Sequence, residues 1–262
     1  MKILHIYKTY YPETLGGVEQ VIDQLCQKTT LLGCENSLLT ISKAPKTFPD
    51  EIKDLPIVRT QLTFEKASCP FSYELFRNFK SLISHADILH YHFPWPFADF
   101  LHCFYQIQKP SLVTYHSDII RQKWLKKFYH PIMKRFLAQM NQIVTTSENL
   151  LHSSEDLKPF RQKCQSIPLG IEPSDYPTPS KEKLLYWQTC FSKPFFFFIG
   201  VLRYYKGLHF LIEAAKDLNI SIVIAGDGPE RTKLENLAKS LNVQSIHFLG
   251  KISDEDKIAL IS

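Results

Sequence analysis

Short apolar runs alternate along this chain with stretches in which apolar residues recur every three or four positions. Runs at residues 2–7, 36–41, 88–92, 111–115, 142–145 and 164–167 are too short for buried helices and predict β-strands. Several are continuously apolar, as expected of parallel strands covered on both faces. Between the first two, Val18, Val21, Ile22 and Leu25 keep the i, i+3, i+4, i+7 spacing of a helix buried along one side. The first part of the chain therefore reads as a doubly wound α/β sheet.

A second run of the same grammar starts at a strand over 195–199. It continues through a loop at 200–207, a helix at 208–218, a strand at 220–225 and the turn Gly226-Asp227-Gly228-Pro229-Glu230. A further helix follows, with Leu234, Leu237 and Leu241 inward. Strand, loop, helix, strand, glycine turn, helix is the order of a nucleotide-binding α/β half. The segment from Glu172 to Ser180, rich in proline and turn residues, can continue neither helix nor central strand and reads as a linker. The predicted division is residues 1–172, a linker with a short helix at 173–194, and 195–262. Ser253, with Asp256 as the capping-box acid, starts a last helix. About three strands of the second unit are written, fewer than such a half needs for its crevice, so this domain reads as incomplete.

A chain of 262 residues with 44% apolar content can build one large or two modest cores. Six cysteines lie apart without any C-x-x-C pair, which argues against a zinc ribbon or thioredoxin motif and fits a reducing compartment. No stretch approaches the roughly 18 apolar residues of a membrane span, and the opening strand is too short for a signal peptide. The net charge of +5 does not argue for nucleic acid, but its distribution is uneven. Between Asp118 and Glu148 no acidic residue occurs. Arg121, Lys123, Lys126, Lys127, Lys134 and Arg135 there alternate with Trp124, Leu125, Phe128, Ile132, Phe136 and Leu137 at helical period, interrupted by Pro131. This is either a solvated helix face over the core or a patch for an anionic membrane or acceptor. Each cation near an anionic leaflet would contribute about 1 kcal/mol.

Candidate chemistry falls at the predicted strand ends. Gly16-Gly17 lies between the first strand and first helix, where amides can approach an anion closely or simply make a tight turn. Arg203 and Lys206, between Gly200 and Gly207, would offer a diphosphate a guanidinium fork, an ammonium and free amides, with ordinary surface cations as the alternative. His116 stands just past a strand end, where the crevice of an open α/β sheet lies. His90 and His92 share one strand face, which raises either a metal site with His116 or, together with His5, buried histidines satisfied by the core. No carboxylate or cysteine completes a ligand set, and no metal site is assigned. A nicotinamide fold lacks its G-x-G-x-x-G and a kinase-type loop its G-x-x-x-x-G-K-[ST].

In order along the chain, Gly16-Gly17-Val18-Glu19, His116-Ser117-Asp118, Pro168-Leu169-Gly170-Ile171-Glu172, Arg203-x-x-Lys206-Gly207, Gly226-Asp227-Gly228-Pro229-Glu230 and Leu249-Gly250-Lys251 resemble the retaining glycosyltransferases of family 4, of GT-B fold. The closest likeness is to bacterial mannosyl- and related hexosyltransferases that build lipopolysaccharide and other surface polysaccharides. The resemblance implies two Rossmann-like domains across a cleft, the first for the acceptor and the second for a nucleotide-sugar. It implies that Arg203 and Lys206 hold the donor diphosphate without a metal or other cofactor, and that His116 lies near the donor sugar. Gly16 and Gly17 would close over the reacting centre, Gly200 and Gly228 would line the donor site, and the backbone near Lys251 and Ile252 would meet the nucleobase. The donor would be GDP-mannose or a UDP-hexose and the acceptor a saccharide or lipid-linked saccharide. Lys123, Lys126 and Lys127 would face an anionic membrane from the cytoplasmic side.

The family's Glu-x7-Glu pair is missing, since no two glutamates stand eight positions apart. The expectation is a truncated transferase with little or no turnover by itself. The other reading is a non-catalytic binding protein, either a pseudoenzyme or half of a split enzyme completed by a C-terminal polypeptide.

Overall fold

The computed structural model describes residues 1–119, 123–170, 176–191, 194–216, 218 and 220–262, with the backbone alone for 123–126. It divides into two units, Met1–Gly170 and Ile171–Ser262.

The first unit begins with β1 (Lys2–Ile6), α1 (Gly17–Leu31) and β2 (Glu35–Ser42). Next come β3 (Glu51–Ile52), β4 (Leu55–Gln61), the hairpin β5 (Phe64–Lys66) and β6 (Cys69–Phe71), and α2 (Tyr73–Leu82). Then β7 (Ile88–Phe93), α3 (Pro96–Phe104), β8 (Ser111–Tyr115), α4 (Lys123–Gln139), β9 (Gln142–Thr145), α5 (Glu148–Ser153) and β10 (Cys164–Ser166) complete it. Eight strands form one sheet in the order β10-β9-β8-β7-β1-β2-β4-β3, parallel except where β3 meets β4. All six strands expected in this unit are present. The hairpin and the strands β3 and β4 are additions: Pro56 and Arg59 interrupt the apolar pattern of β4, yet Arg59 is buried, with its guanidinium 2.7 Å from the Tyr11 carbonyl.

Strand alternation sorts the core into two layers. Leu4 and Ile6 of β1, Leu39 and Ile41 of β2, and Leu89, Tyr91 and Phe93 of β7 join Phe79, Leu101, Phe136 and Leu137 from α2, α3 and α4. The opposite layer packs Leu38 and Ile57 against Ile22 and Cys26 of α1. Histidines 5, 90 and 92 occupy the positions that alternate with the first set, and all three are buried. What reads as a continuous apolar run is thus a hydrophobic face backed by a polar one.

Helix α4 does not break at Pro131, as the sequence had suggested, but runs through it. Proline there forfeits a backbone bond and costs about 3 kcal/mol. Pro131 is exposed, while Met133, Phe136 and Leu137 beyond it are fully buried, so core packing holds the helical path.

The second unit holds α6 (Lys181–Cys190), β11 (Phe195–Ile199), α7 (Leu208–Ala214), β12 (Ser221–Ala225), α8 (Arg231–Ser240), β13 (Ile246–Gly250) and α9 (Asp254–Ile261). Its described strands form a parallel sheet in the order β11-β12-β13. Leu202, Leu208, Ile212, Ile222, Ile224 and Leu234 make its core. Helix α7 is shorter than the predicted 208–218 because the chain tightens into turns at Lys216 and Leu218. Ser253 caps α9 by accepting from the Asp256 amide, as anticipated. Asp256 also takes hydrogen bonds from Lys183 and Trp187 of α6, which docks the helix of the predicted linker segment onto α9. Residues 172–175 of that segment lie outside the described residues.

Candidate functional site

In the second unit the loops following β11, β12 and β13 are laced together by their backbones. The Gly200 amide donates to the Ala225 carbonyl, Leu202 to Asp227, Glu230 to Leu202, and Gly226 to Gly250. Such close approach dictates glycine. A Cβ on Gly226, whose φ is +120°, would lie 2.0 Å from the Gly200 carbonyl oxygen, and one on Gly228 would lie 2.6 Å from that of Leu202. Gly228 therefore has a packing reason to be glycine that involves no ligand, while its loop still frames the sheet edge.

Arg203 and Lys206 stand on this laced floor. Leu202 is wholly buried and pins the loop. A short 3-10 turn, Tyr204–Lys206, follows, and Gly207 with φ +70° turns the chain into α7. Both cations are exposed, and neither has a carboxylate partner among the described residues; the Lys206 ammonium sits 5.6 Å from the centre of the Tyr205 ring. Arg231 nearby makes the contrast, paired with Glu235 at 2.8 Å and with Asp227 at 4.0 Å. Lys251, exposed, and Ile252, half-buried, follow β13 at the same sheet edge. The structure thus gathers Gly200, Arg203, Lys206, Gly228, Lys251 and Ile252 on one rim of the second unit.

In the first unit the chain runs outward from β1 through β2 and β4 on one side, and from β7 through β8, β9 and β10 on the other. Strand order reverses between β1 and β7, and ligands of open α/β sheets bind outside the carboxyl ends of strands at such a point. Gly16 and Gly17 lie after β1, and His116 after β8. Gly16 precedes α1 in extended conformation, and a Cβ there would meet the Glu19 carboxylate at 2.4 Å. Glu19 is buried and accepts hydrogen bonds from Thr9 and Thr14, closing the loop onto the helix. Around Gly17, the first residue of α1, nothing approaches within 4 Å of a Cβ position.

His116 is held on both sides. Its neighbour Asp118 accepts from Tyr115 and Ser154, each at 2.7 Å, which anchors the loop to the core. Its own Nε2 lies 3.2 Å from Nδ1 of His92, whose Nε2 lies 3.1 Å from Nδ1 of His5, whose Nε2 in turn meets the Asn36 amide oxygen at 3.3 Å. His90 bonds Thr114 at 2.7 Å. Burial pushes His5 and His116 down to about 4, and His90 and His92 well below the ordinary histidine value, so these rings are neutral at pH 7. Ring nitrogens of His5, His90 and His92 lie within 4.8 Å of one another. Both nitrogens of His5 and of His92 are nevertheless engaged in hydrogen bonds, and His116 belongs to the hydrogen-bonded chain.

Of the basic stretch, Lys127 is exposed on α4 next to Phe128, a residue 79% exposed. Phe136 and Leu137 of the same expected face are core residues. Arg121 and the side chains of Lys123 and Lys126 lie outside the described residues. From the sequence alone, His92 reads as either a metal ligand with His90 and His116 or a satisfied core histidine, His5 reads as a satisfied core histidine, and Asn36 is not singled out. Their signal was the alternation of histidine with apolar residues in two neighbouring strands.

Residues 15–175 match the family Glycosyltransferase Family 4, and residues 191–262 match Glycosyl transferases group 1. D-rhamnosyltransferase WbpZ of Pseudomonas aeruginosa is 43% identical over 261 residues, covering 100% of this chain and 68% of the relative. This chain is a family 4 glycosyltransferase. O-antigen chain mannosyltransferase C of Escherichia coli is 40% identical over 260 residues, with 99% of the chain and 70% of the relative covered. Among solved structures, HepE of Anabaena in complex with UDP and glucose superposes with a TM-score of 0.75 at 14% identity, covering 99% of this chain and 72% of that one. At that identity the likeness speaks for the fold, an α/β architecture of GT-B type. Among the described residues no helix is long and apolar enough to cross a membrane.

Proposed function

We propose that this glycosyltransferase moves a hexose from a nucleotide-sugar to a saccharide or lipid-linked saccharide during O-antigen or related surface-glycan assembly, with retention at the anomeric carbon. Support for the pathway comes from the two relatives above, named for D-rhamnosyl and O-antigen mannosyl transfer. Support for the donor comes from the HepE structure, which holds UDP and glucose. The observation that carries the reading is a pair of exposed cations, Arg203 and Lys206, without carboxylate partners among the described residues, on a loop whose backbone is fixed by its neighbours.

In this reading the guanidinium and ammonium take the charge that develops on the leaving diphosphate, the role played by preorganised cations wherever a phosphate departs. Gly200 and Gly228 keep the loop floor flat beneath it, and the backbone at Lys251 and Ile252 meets the base. His116 hydrogen-bonds the sugar, and the Gly16-Gly17 turn serves the reacting group. Lys127, exposed next to Phe128, together with Lys123 and Lys126 earlier in the same basic stretch of sequence, provides the contact to an anionic membrane on the cytoplasmic side, where a lipid-linked acceptor is presented.

The test is the shift in melting temperature of the chain with GDP, UDP and ADP. GDP or UDP should raise it, and Arg203→Ala, a change at an exposed side chain, should abolish the rise. An undiminished shift in that variant would remove the diphosphate assignment.

A further inference from the structure

We infer that Asn36, His5 and His92 are positioning residues that form a hydrogen-bond relay setting the tautomer of His116, which thereby presents an unprotonated Nδ1 as acceptor for a hydroxyl of the donor sugar. The sugar clause rests on the function proposed above; the tautomer does not.

The relay has a fixed sense because one end is unambiguous. The Asn36 side-chain amide nitrogen, with two protons to give, lies 3.0 Å from the Cys26 carbonyl and 2.9 and 3.0 Å from the hydroxyls of Thr29 and Thr30. A carbonyl can only accept, so the amide cannot be reversed, and its oxygen faces His5. That oxygen also only accepts, and the proton between them therefore belongs to His5 Nε2. A neutral imidazole carries one proton, which leaves His5 Nδ1 as a lone pair. His92 must then donate from Nε2 and accept at Nδ1. His116 must donate from Nε2 in turn, and its own Nδ1 is left bare.

Desolvation reinforces the pattern. His5 and His92 are buried, and a second proton on either ring would place two donors face to face inside the sheet. The rings of His5 and His92 stack with centroids 5.4 Å apart, and those of His92 and His116 at 5.5 Å. Bonds aligned in one sense polarise one another, which strengthens the last lone pair as an acceptor. His116 is the partly exposed end of the chain, and no protein group bonds its Nδ1 among the described residues. An acceptor left without a protein partner matches the donor hydroxyls that a sugar carries in number.

Long-range 1H–15N correlation spectra of the histidine-labelled protein read the tautomers directly, since protonated and bare ring nitrogens resonate far apart. His5, His92 and His116 should each appear as the Nε2–H form. His92→Phe keeps a ring in the stack and removes both hydrogen bonds. There His116 should relax to a mixture of tautomers, with the amide spectrum outside β1, β7 and β8 retained. An Nδ1–H form of His116 in the unaltered protein, or an unchanged His116 in His92→Phe, overturns the relay; the first of these needs no variant to fold.

For the sugar, GDP-mannose against GDP and UDP-glucose against UDP are the probes. His92→Phe and His116→Ala should each weaken the nucleotide-sugar about tenfold, the scale of one hydrogen bond, while leaving the nucleotide alone unaffected. Equal nucleotide-sugar binding by the unaltered protein and His92→Phe overturns the sugar clause. Absence of any nucleotide binding to the unaltered chain instead defeats the donor-site reading, and the spectra still decide the relay.

Discussion

The two units hold their candidate chemistry by opposite physical means. In the first, β1 and β7 are covered on both faces, and the histidines behind them stay neutral through burial and mutual hydrogen bonding. In the second, β12 is buried but β11 leaves Phe196 63% exposed, and the two candidate cations, Arg203 and Lys206, stand in solvent without carboxylate partners among the described residues. A hydrogen-bonding imidazole is served by a dry site that fixes its tautomer. A grip on a diphosphate needs full charge, which burial would cost. The first unit accordingly spends side chains to position its group, and the second spends glycines.

That contrast is most easily broken at Gly226. An alanine there would thrust a methyl group into the Gly200 carbonyl, at a φ that side chains avoid. We expect Gly226→Ala to cost about 4 kcal/mol and to erase hydrogen-exchange protection of β11, β12 and β13, with the first unit's amides still protected. Retained protection in the second unit would show that the backbone lacing does not hold it.

A smaller effect should appear in the first unit on acidification. His5, His102 and His116 lie near 4 when folded and near 6.5 when unfolded, so the unfolded chain binds protons that the folded one refuses. Their contribution is complete above pH 6.5 and is lost as pH falls toward 4. Asp99 runs the other way. Burial lifts it to about 8 despite its hydrogen bond from Tyr129, so its penalty shrinks as pH falls from 8 toward its ordinary value. Several histidines against one carboxyl should leave a net loss of stability between pH 6.5 and 4.5, measured by urea unfolding with exchange to assign the unit. Constant stability of the first unit over that range would contradict the dry-histidine account.

The smallest effect compares two adjacent glycines. Gly16→Ala must displace the buried Glu19 carboxylate and should cost about 1–2 kcal/mol. Gly17→Ala meets open space at a helix start and should change stability by less than about 0.5 kcal/mol. If both variants melt alike, Glu19 is not the latch that closes the loop.

Much of this was legible beforehand. The strands at 111–115, 142–145 and 195–199 were placed to the residue, because each is a compact apolar run bounded by polar or turn residues. The strand at 55–61 was not, since its proline and buried arginine disguise it. Proline also misled at 131, where a penalty that ends an isolated helix is outweighed by core side chains on the next turns. The motif order pointed to family 4, and the relatives bear that out. The histidine relay was only half visible: alternation put His90 and His92 on one face, but nothing local told which strand would lie beside them.

Local pattern alone thus determined the alternation of strands and helices, the loop carrying Arg203 and Lys206, and the capped start of the last helix, because each depends on neighbours a few residues apart. Tertiary structure decided which strands are adjacent, and through that everything requiring contact across the chain. Asn36, His5, His92 and His116 are spread from position 5 to position 116, and only the sheet order that sets β2, β1, β7 and β8 side by side brings their polar atoms within hydrogen-bonding distance.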